Sequence, residues 1–256
     1  MKMIFRYAIC ALMILAIANR GRAQTMSPEA MVGQILATHI GPSGLPSDFL
    51  IQGQVTDATG TRSLRMQMKG KDKIRYEQTQ SGQTLISIFN AGTAWAGATT
   101  GLKPLMEHAS ARRPIELPFL DVIGELGNPY WKVRYIGEEA AGGGTVLHFA
   151  VHFTDPVPSQ KRFLRRALNE DVDFFVDART NLIVRSQRLQ MANDSMDFRV
   201  PSLLDFSDYR QINGMMIPFR IVNTIGNRNA GTRQITMVLQ SVLINQGIPD
   251  SAFRPQ

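Results

Sequence analysis

Four histidines, His39, His108, His148 and His152, carry most of the ionisable chemistry this chain could use near neutral pH. His148 and His152 stand four apart in an alternating run. A strand would put them on one face but about 13 Å apart at ~3.3 Å per residue, too far to share a metal ion. No HExxH or other zinc spacing occurs. No metal site and no cofactor is expected, and the histidines are expected at the solvent face or the rim of a cavity. Asp171 and Asp173 would share a strand face, an arrangement open to acid–base work or to a cation. With the basic residues Lys161, Arg162, Arg165 and Arg166 close by, surface ion pairs are the expectation for them. A hydrolase using His148 or Asp173 is the weakest reading, since no nucleophile–base pair can be read beside them.

Other motifs fail on context. In Gly41-Pro42-Ser43-Gly44 the second glycine comes one position early for a nucleophile elbow and no strand precedes it, so a loop is expected. Gly142-Gly143-Gly144 has no helix after it and is a turn rather than a phosphate cradle. Asn193-Asp194-Ser195 is a glycosylation sequon, which matters only in a eukaryotic secretory host. Lys161, Arg162, Arg165 and Arg166 would occupy one side of a helix. That side is either a solvated face or a contact for anionic headgroups or an acidic protein partner. The aromatic content is more suggestive. Trp95, Phe119, Leu120, Phe149, Phe153, Phe174, Phe206 and Phe219 are candidates for inward faces. They would be core in a filled barrel, or the lining of an acyl-chain cavity in a half-open one.

The elements that must position these residues follow from periodicity. Ser27-Pro28-Glu29 is a helix start, Met31, Val32, Ile35, Leu36 and Ile40 keep helical spacing, and Gly41-Pro42 stops it, giving a helix over 28–40. From Phe49 the period becomes two. Turns at 57–60, 70–72 and 81–82 divide a five-strand meander that breaks at 97–104. Residues 115–126 suit one or two short helices and 158–170 a basic helix. Strands are expected at 130–138, 145–153, 173–176, 182–191, 203–212, 215–225 and 232–244. Asn213-Gly214 is the clearest hairpin signal, because both residues tolerate the positive φ of a type I′ turn. The sum is a mainly β fold: one strongly curved antiparallel sheet forming a half-open barrel covered by two or three short helices. A closed, filled barrel is the alternative.

Residues 1–23 read as a secretory signal peptide, with Lys2 and Arg6 ahead of an apolar stretch over 7–18 and small residues before cleavage at Ala18 or Ala23. The apolar stretch falls short of the ~20 residues a membrane span needs. Residues 24–256 are expected to be one exported, soluble, monomeric domain in the periplasm. Cleavage at Ala23 removes four of the 28 basic residues and no acid, which lowers the formal charge from +7 to +3. Nucleic-acid binding thereby loses its compositional support. The one cysteine, Cys10, lies within the signal, so no disulfide is expected.

Several stretches taken together resemble the periplasmic lipoprotein-sorting superfamily, the LolA-like and LolB-like half-barrel proteins. They are FLIQGQV at 49–55, KIRYEQ at 73–78, FFVDARTNLIVRSQ at 174–187, SDYRQINGMMIPFRI at 207–221 and LINQGIPDSAFRP at 243–255. The last three are the most specific, through Asp177, Thr180, Leu182, Ile183 and Arg185, then Tyr209, Arg210, Gly214 and Pro218, then Asn245, Ile248, Asp250, Phe253 and Pro255. Where the family carries an arginine–proline lid element, this sequence has Lys71-Asp72-Lys73-Ile74-Arg75. The resemblance implies non-enzymatic binding of lipid or an acylated lipoprotein in a concave cavity under lid helices at 28–40 and 115–126. It also leaves room for a periplasmic sensor or scaffold that binds a protein partner with the same fold.

Overall fold

Ser27 opens the first helix, α1 (Pro28–Ile40). Its hydroxyl accepts the Ala30 N–H at 3.2 Å, and Pro28 fills a first-turn position that lacks an intrahelical partner anyway. Gly41, at φ 67°, ends the helix with its N–H returned to the Ala37 carbonyl at 3.0 Å. The bounds are those the sequence predicts. The computed structural model describes residues 26–70, 73–105, 131–153, 172–192, 195–226 and 231–255. The expected signal at 1–23 and the expected helices at 115–126 and 158–170 lie outside these.

The remaining chain forms one antiparallel sheet, thirteen strands among the described residues. They are β1 (Asp48–Asp57), β2 (Gly60–Lys69), β3 (Lys73–Gln80), β4 (Gln83–Asn90), β5 (Thr93–Ala98), β6 (Lys103–Pro104) and β7 (Trp131–Ala141). After them come β8 (Gly144–Phe153), β9 (Val172–Asp177), β10 (Ile183–Ala192), β11 (Ser195–Ile212), β12 (Met215–Gly226) and β13 (Thr232–Ile244). Every strand pairs with its sequence neighbours except β6 and β7, which do not pair with each other, and the two meanders β6 to β1 and β13 to β7 join at β1–β13. The sheet is not closed, and β6 and β7 are its edges. β7 protects its edge with Lys132, Arg134, Glu138 and Glu139 and with a bulge between Tyr135 and Gly137. β5 runs past the expected break at Gly97 and returns as the two-residue β6.

Irregular positions have local causes. Asn213 and Gly214 take φ 48° and 88°, as the expected type I′ hairpin requires. Pro218, which has no N–H to donate, lies in the central strand β12 opposite Tyr209, and beside it Asp208 takes φ 52° although the register of β11 with β12 runs on unshifted.

α1 touches both β12 and β7, which stand five strands apart in the sheet. At ~4.8 Å per strand a flat sheet would separate them by about 24 Å. The sheet therefore curves around the helix, and α1 lies on its concave face. Val32, Ile35 and Leu36 join one apolar core there with Phe49, Ile51, Met66, Ile74, Phe89, Phe149, Phe174, Leu204, Phe206, Ile217, Phe219, Met237 and Leu239. A second, smaller core sits on the outer face, where Ile86, Ile88, Trp95 and Leu102 receive Ile248 and Phe253 from the C-terminal segment.

Candidate functional site

The concave face is the candidate site, and its two ends differ. One end carries tight turns: 91–92, 142–143, 178–182 and 213–214. There α1 is pinned. A Cβ built on Gly41 would meet the Gly214 carbonyl oxygen at 2.3 Å, so the helix stop and the hairpin turn approach as only glycine allows. One turn earlier, His39 is fully buried. Its Nδ1–H donates to the Met216 carbonyl at 3.2 Å, while its Nε2 accepts the Ile183 N–H at 3.1 Å. Tyr209, whose ring lies 5.5 Å from the imidazole, donates its hydroxyl to the Ile183 carbonyl. An imidazole that accepts at Nε2 is neutral. Burial lowers its pKa from 6.5 to about 4, against the opposing pull of the Met216 carbonyl. Burial also pushes the Tyr209 phenol above its usual range. His39 was expected at a solvent face or rim; it is instead the polar rivet between α1, β10 and β12. Its place four residues after Ile35, on the apolar stripe of the helix, was the available signal.

On β3 to β5 the concave face opens toward the other end. Ile74, Phe89 and Ala94 are buried on β3 to β5, Tyr76, Ser87 and Ala96 are half-buried one pair further along, and Leu85 is 59 % exposed beyond them. On the β9 to β13 side the apolar wall is broken by a polar island. Ser186 pairs with the core residues Phe174 and Leu204, so it faces inward. Arg188, two residues on, pairs with Val172 and Ser202 in the same register. Ser202 is fully buried and donates to the Asn223 side-chain oxygen at 3.2 Å. Asn223 stands between Leu204 and Ile235. Arg188 is half-buried, with its Nε closed off from solvent.

Of the sequence-predicted lining residues, Phe149, Phe174, Phe206 and Phe219 stand on the concave face, with the Arg210 guanidinium 4.2 Å from the centre of the Phe219 ring. Phe153 ends β8, opposite Trp131. Trp95 is a correction: it packs on the outer face with Phe253, and its neighbour Ala94 faces inward. Phe119, Leu120, Lys161, Arg162, Arg165 and Arg166 lie outside the described residues. Lys73 and Arg75, from the stretch that stands in place of the family's lid element, reach the C-terminal segment: Lys73 bonds Asp250 at 2.9 Å and Arg75 the Ala252 carbonyl at 3.2 Å.

The hydrolase candidates also land on the outer side. His148 holds Glu139 at 2.6 Å through Nδ1 and Asp173 at 3.2 Å through Nε2, and its ring stacks on Phe175 at 4.4 Å. With both nitrogens engaged by carboxylates, the imidazole has none left to take a proton from a nucleophile. Asp173 pairs with His148, while the basic 161–166 stretch lies outside the described residues. Among the described residues, no group of three His, Cys, Asp or Glu side chains is placed to hold a metal ion, and no helix is long and apolar enough to cross a membrane.

The open antiparallel sheet curled around α1 is a fold shared with solved structures, among them one of a LolA superfamily protein. A domain from Vibrio parahaemolyticus named for outer membrane lipoprotein sorting shares it at TM-score 0.58 and 12 % identity, over 88 % of this chain and 95 % of that one. A LolA superfamily protein from Nitrosomonas europaea matches at 0.56 and 10 %, over 89 % and 97 %. A DUF1329 family protein from Desulfovibrio piger matches at 0.57 and 13 %, over 89 % and 95 %. Similarity this distant establishes the fold. No protein-family model and no curated protein matches the chain.

Proposed function

We propose that the protein is an exported, non-enzymatic carrier or chaperone that binds lipid or an acylated lipoprotein on its concave face for transfer toward the outer membrane. The observation that carries this reading is the concave face itself: a largely apolar wall, packed under α1 and exposed on the β3 to β5 side as far as Leu85. An acyl chain gains about 0.8 kcal/mol for each methylene it buries, so such a wall needs no directional chemistry to hold one. The similar structure named for lipoprotein sorting agrees with this use. In this reading residues 1–23 are removed on export, residues 24–256 work as one monomeric domain in the periplasm, and the 161–166 basic stretch meets headgroups or a delivery partner.

The test is to express the full chain in an exporting host, recover the processed protein, and examine it by native mass spectrometry with lipid extraction. Co-purifying acyl-bearing molecules, released only on unfolding, are the expected result. A clean apo mass that stays unchanged when lipid is added would overturn the carrier and favour binding of a protein partner.

A further inference from the structure

The concave face is not equally filled across the sheet. α1 packs on β12 and β7, in the half that runs from β13 to β7, whereas β3 to β6 lie at the opposite edge. Three inward rows cross that edge. In the first, Ile74, Phe89 and Ala94 are buried core, with Leu105 packed against them. The second is Met66, Tyr76, Ser87, Ala96 and Lys103. Met66 is buried, but Tyr76, Ser87 and Ala96 are half-buried and Lys103 is exposed. The third, Leu64, Gln78, Leu85 and Ala98, ends in exposed side chains. Along the second row the side chains shrink from methionine and tyrosine to serine and alanine. Ser87 and Ala96 therefore floor a shallow trough between the buried first row and Leu85. A ligand can lie there without displacing packed core. From β3 to β6 the trough spans about 14 Å at ~4.8 Å per strand.

Lys103 closes the trough at the edge strand. The Leu105 N–H bonds the Ala94 carbonyl at 2.8 Å, which holds β6 in register and puts Lys103 opposite Ala96 on the concave side. Its ammonium is exposed and is not spent on any carboxylate among the described residues. We propose that the trough over Ser87 and Ala96 seats an acyl chain whose anionic head meets the Lys103 ammonium and whose tail crosses β5 and β4 toward Tyr76. An apolar floor with one cation at its end complements such an amphiphile in both shape and charge. The inference rests on the carrier reading and adds to it the seat of the chain and the sign of the head.

The test uses the exported protein stripped of lipid, with a neutral fluorescent naphthylamine probe displaced by laurate, dodecanol and dodecyltrimethylammonium. A single exposed charge pair is weak, so laurate is expected to bind about threefold more tightly than dodecanol, with the cation weakest. Lys103→Glu should reverse the order of laurate and dodecyltrimethylammonium and leave dodecanol unchanged. Ala96→Phe fills the trough at a half-buried position. It should weaken all three ligands roughly tenfold, the loss of about two buried methylenes, with the urea midpoint unmoved. Ser87→Leu, on the neighbouring strand, is a second filling variant with the same expectation. An order of affinity that Lys103→Glu leaves unchanged would overturn the head assignment. Undiminished binding in both filling variants would overturn the seat. Failure of the probe and all three ligands to bind the unaltered protein would overturn the carrier reading as well.

Discussion

His39 ties α1 to β10 and β12 with two hydrogen bonds, and the one it accepts from the Ile183 N–H needs the neutral ring. Protonation would turn Nε2–H against the Ile183 N–H. The folded state holds the pKa near 4, below the 6.5 of the free side chain, so on acidification the unfolded chain takes up the proton first. The stabilisation is complete above pH 6.5 and is lost as the pH falls toward 4. At ~1.4 kcal/mol per pH unit the loss is roughly 3 kcal/mol. Urea unfolding at pH 7.5, 5.5 and 4.5 should show this decline in the natural protein and a flatter profile in His39→Phe; parallel profiles would contradict the assignment. Carboxylates act lower. Asp48 is buried, which would raise its pKa, but bonds from the Gln246 N–H, the Ser47 hydroxyl and the Ile248 and Gly247 N–H groups outweigh this and hold it below its usual range. The residues of the polar island were hidden in the sequence for a definite reason. Ile183 faces the core, and alternation from it assigns Arg185 and Gln187 inward. The register shifts between Ile183 and Arg185, and that single extra residue turns Ser186 and Arg188 inward instead.

At the scale of elements, α1, the Asn213-Gly214 hairpin and most strands were legible, because their signals are local: a cap, a proline, a glycine pair, a period. The C-terminal segment was not, because its partners lie some 180 residues away in sequence. Phe253 is fully buried against Ile86, Ile88 and Trp95, and the short 3-10 turn Asp250–Phe253 is tied down by Lys69, Lys73, Arg75 and Asn90. Lys69 and Lys73 lower the pKa of Asp250 to about 2. This clamp also explains the reversal of Trp95. In Thr93–Ala98 it is the one large side chain, so apolar alternation alone sends it inward, whereas Phe253 provides an apolar partner outside. Phe253→Ala should cost about 3–5 kcal/mol in urea unfolding, as for other buried aromatic truncations. Asp250→Asn, which removes only exposed ion pairs, should shift the midpoint much less. The opposite order would mean that charge rather than packing holds the segment.

For the whole molecule, curvature is what joins fold to function. Two meanders meet at β1–β13 and curl around α1, which leaves one largely apolar wall, covered by α1 and exposed on its β3 to β5 side. Alternation in the sequence foretold one curved sheet with a wet and a dry side. It held no information on the β1–β13 seam, which pairs residues nearly two hundred positions apart. The most direct measurement of the central claim is photolabelling with a diazirine-bearing fatty acid, followed by peptide mapping. Saturable labelling of concave residues on β3 to β6, competed by unlabelled laurate, is the expected result. Labelling confined to the outer face, or labelling that laurate does not compete, would contradict it.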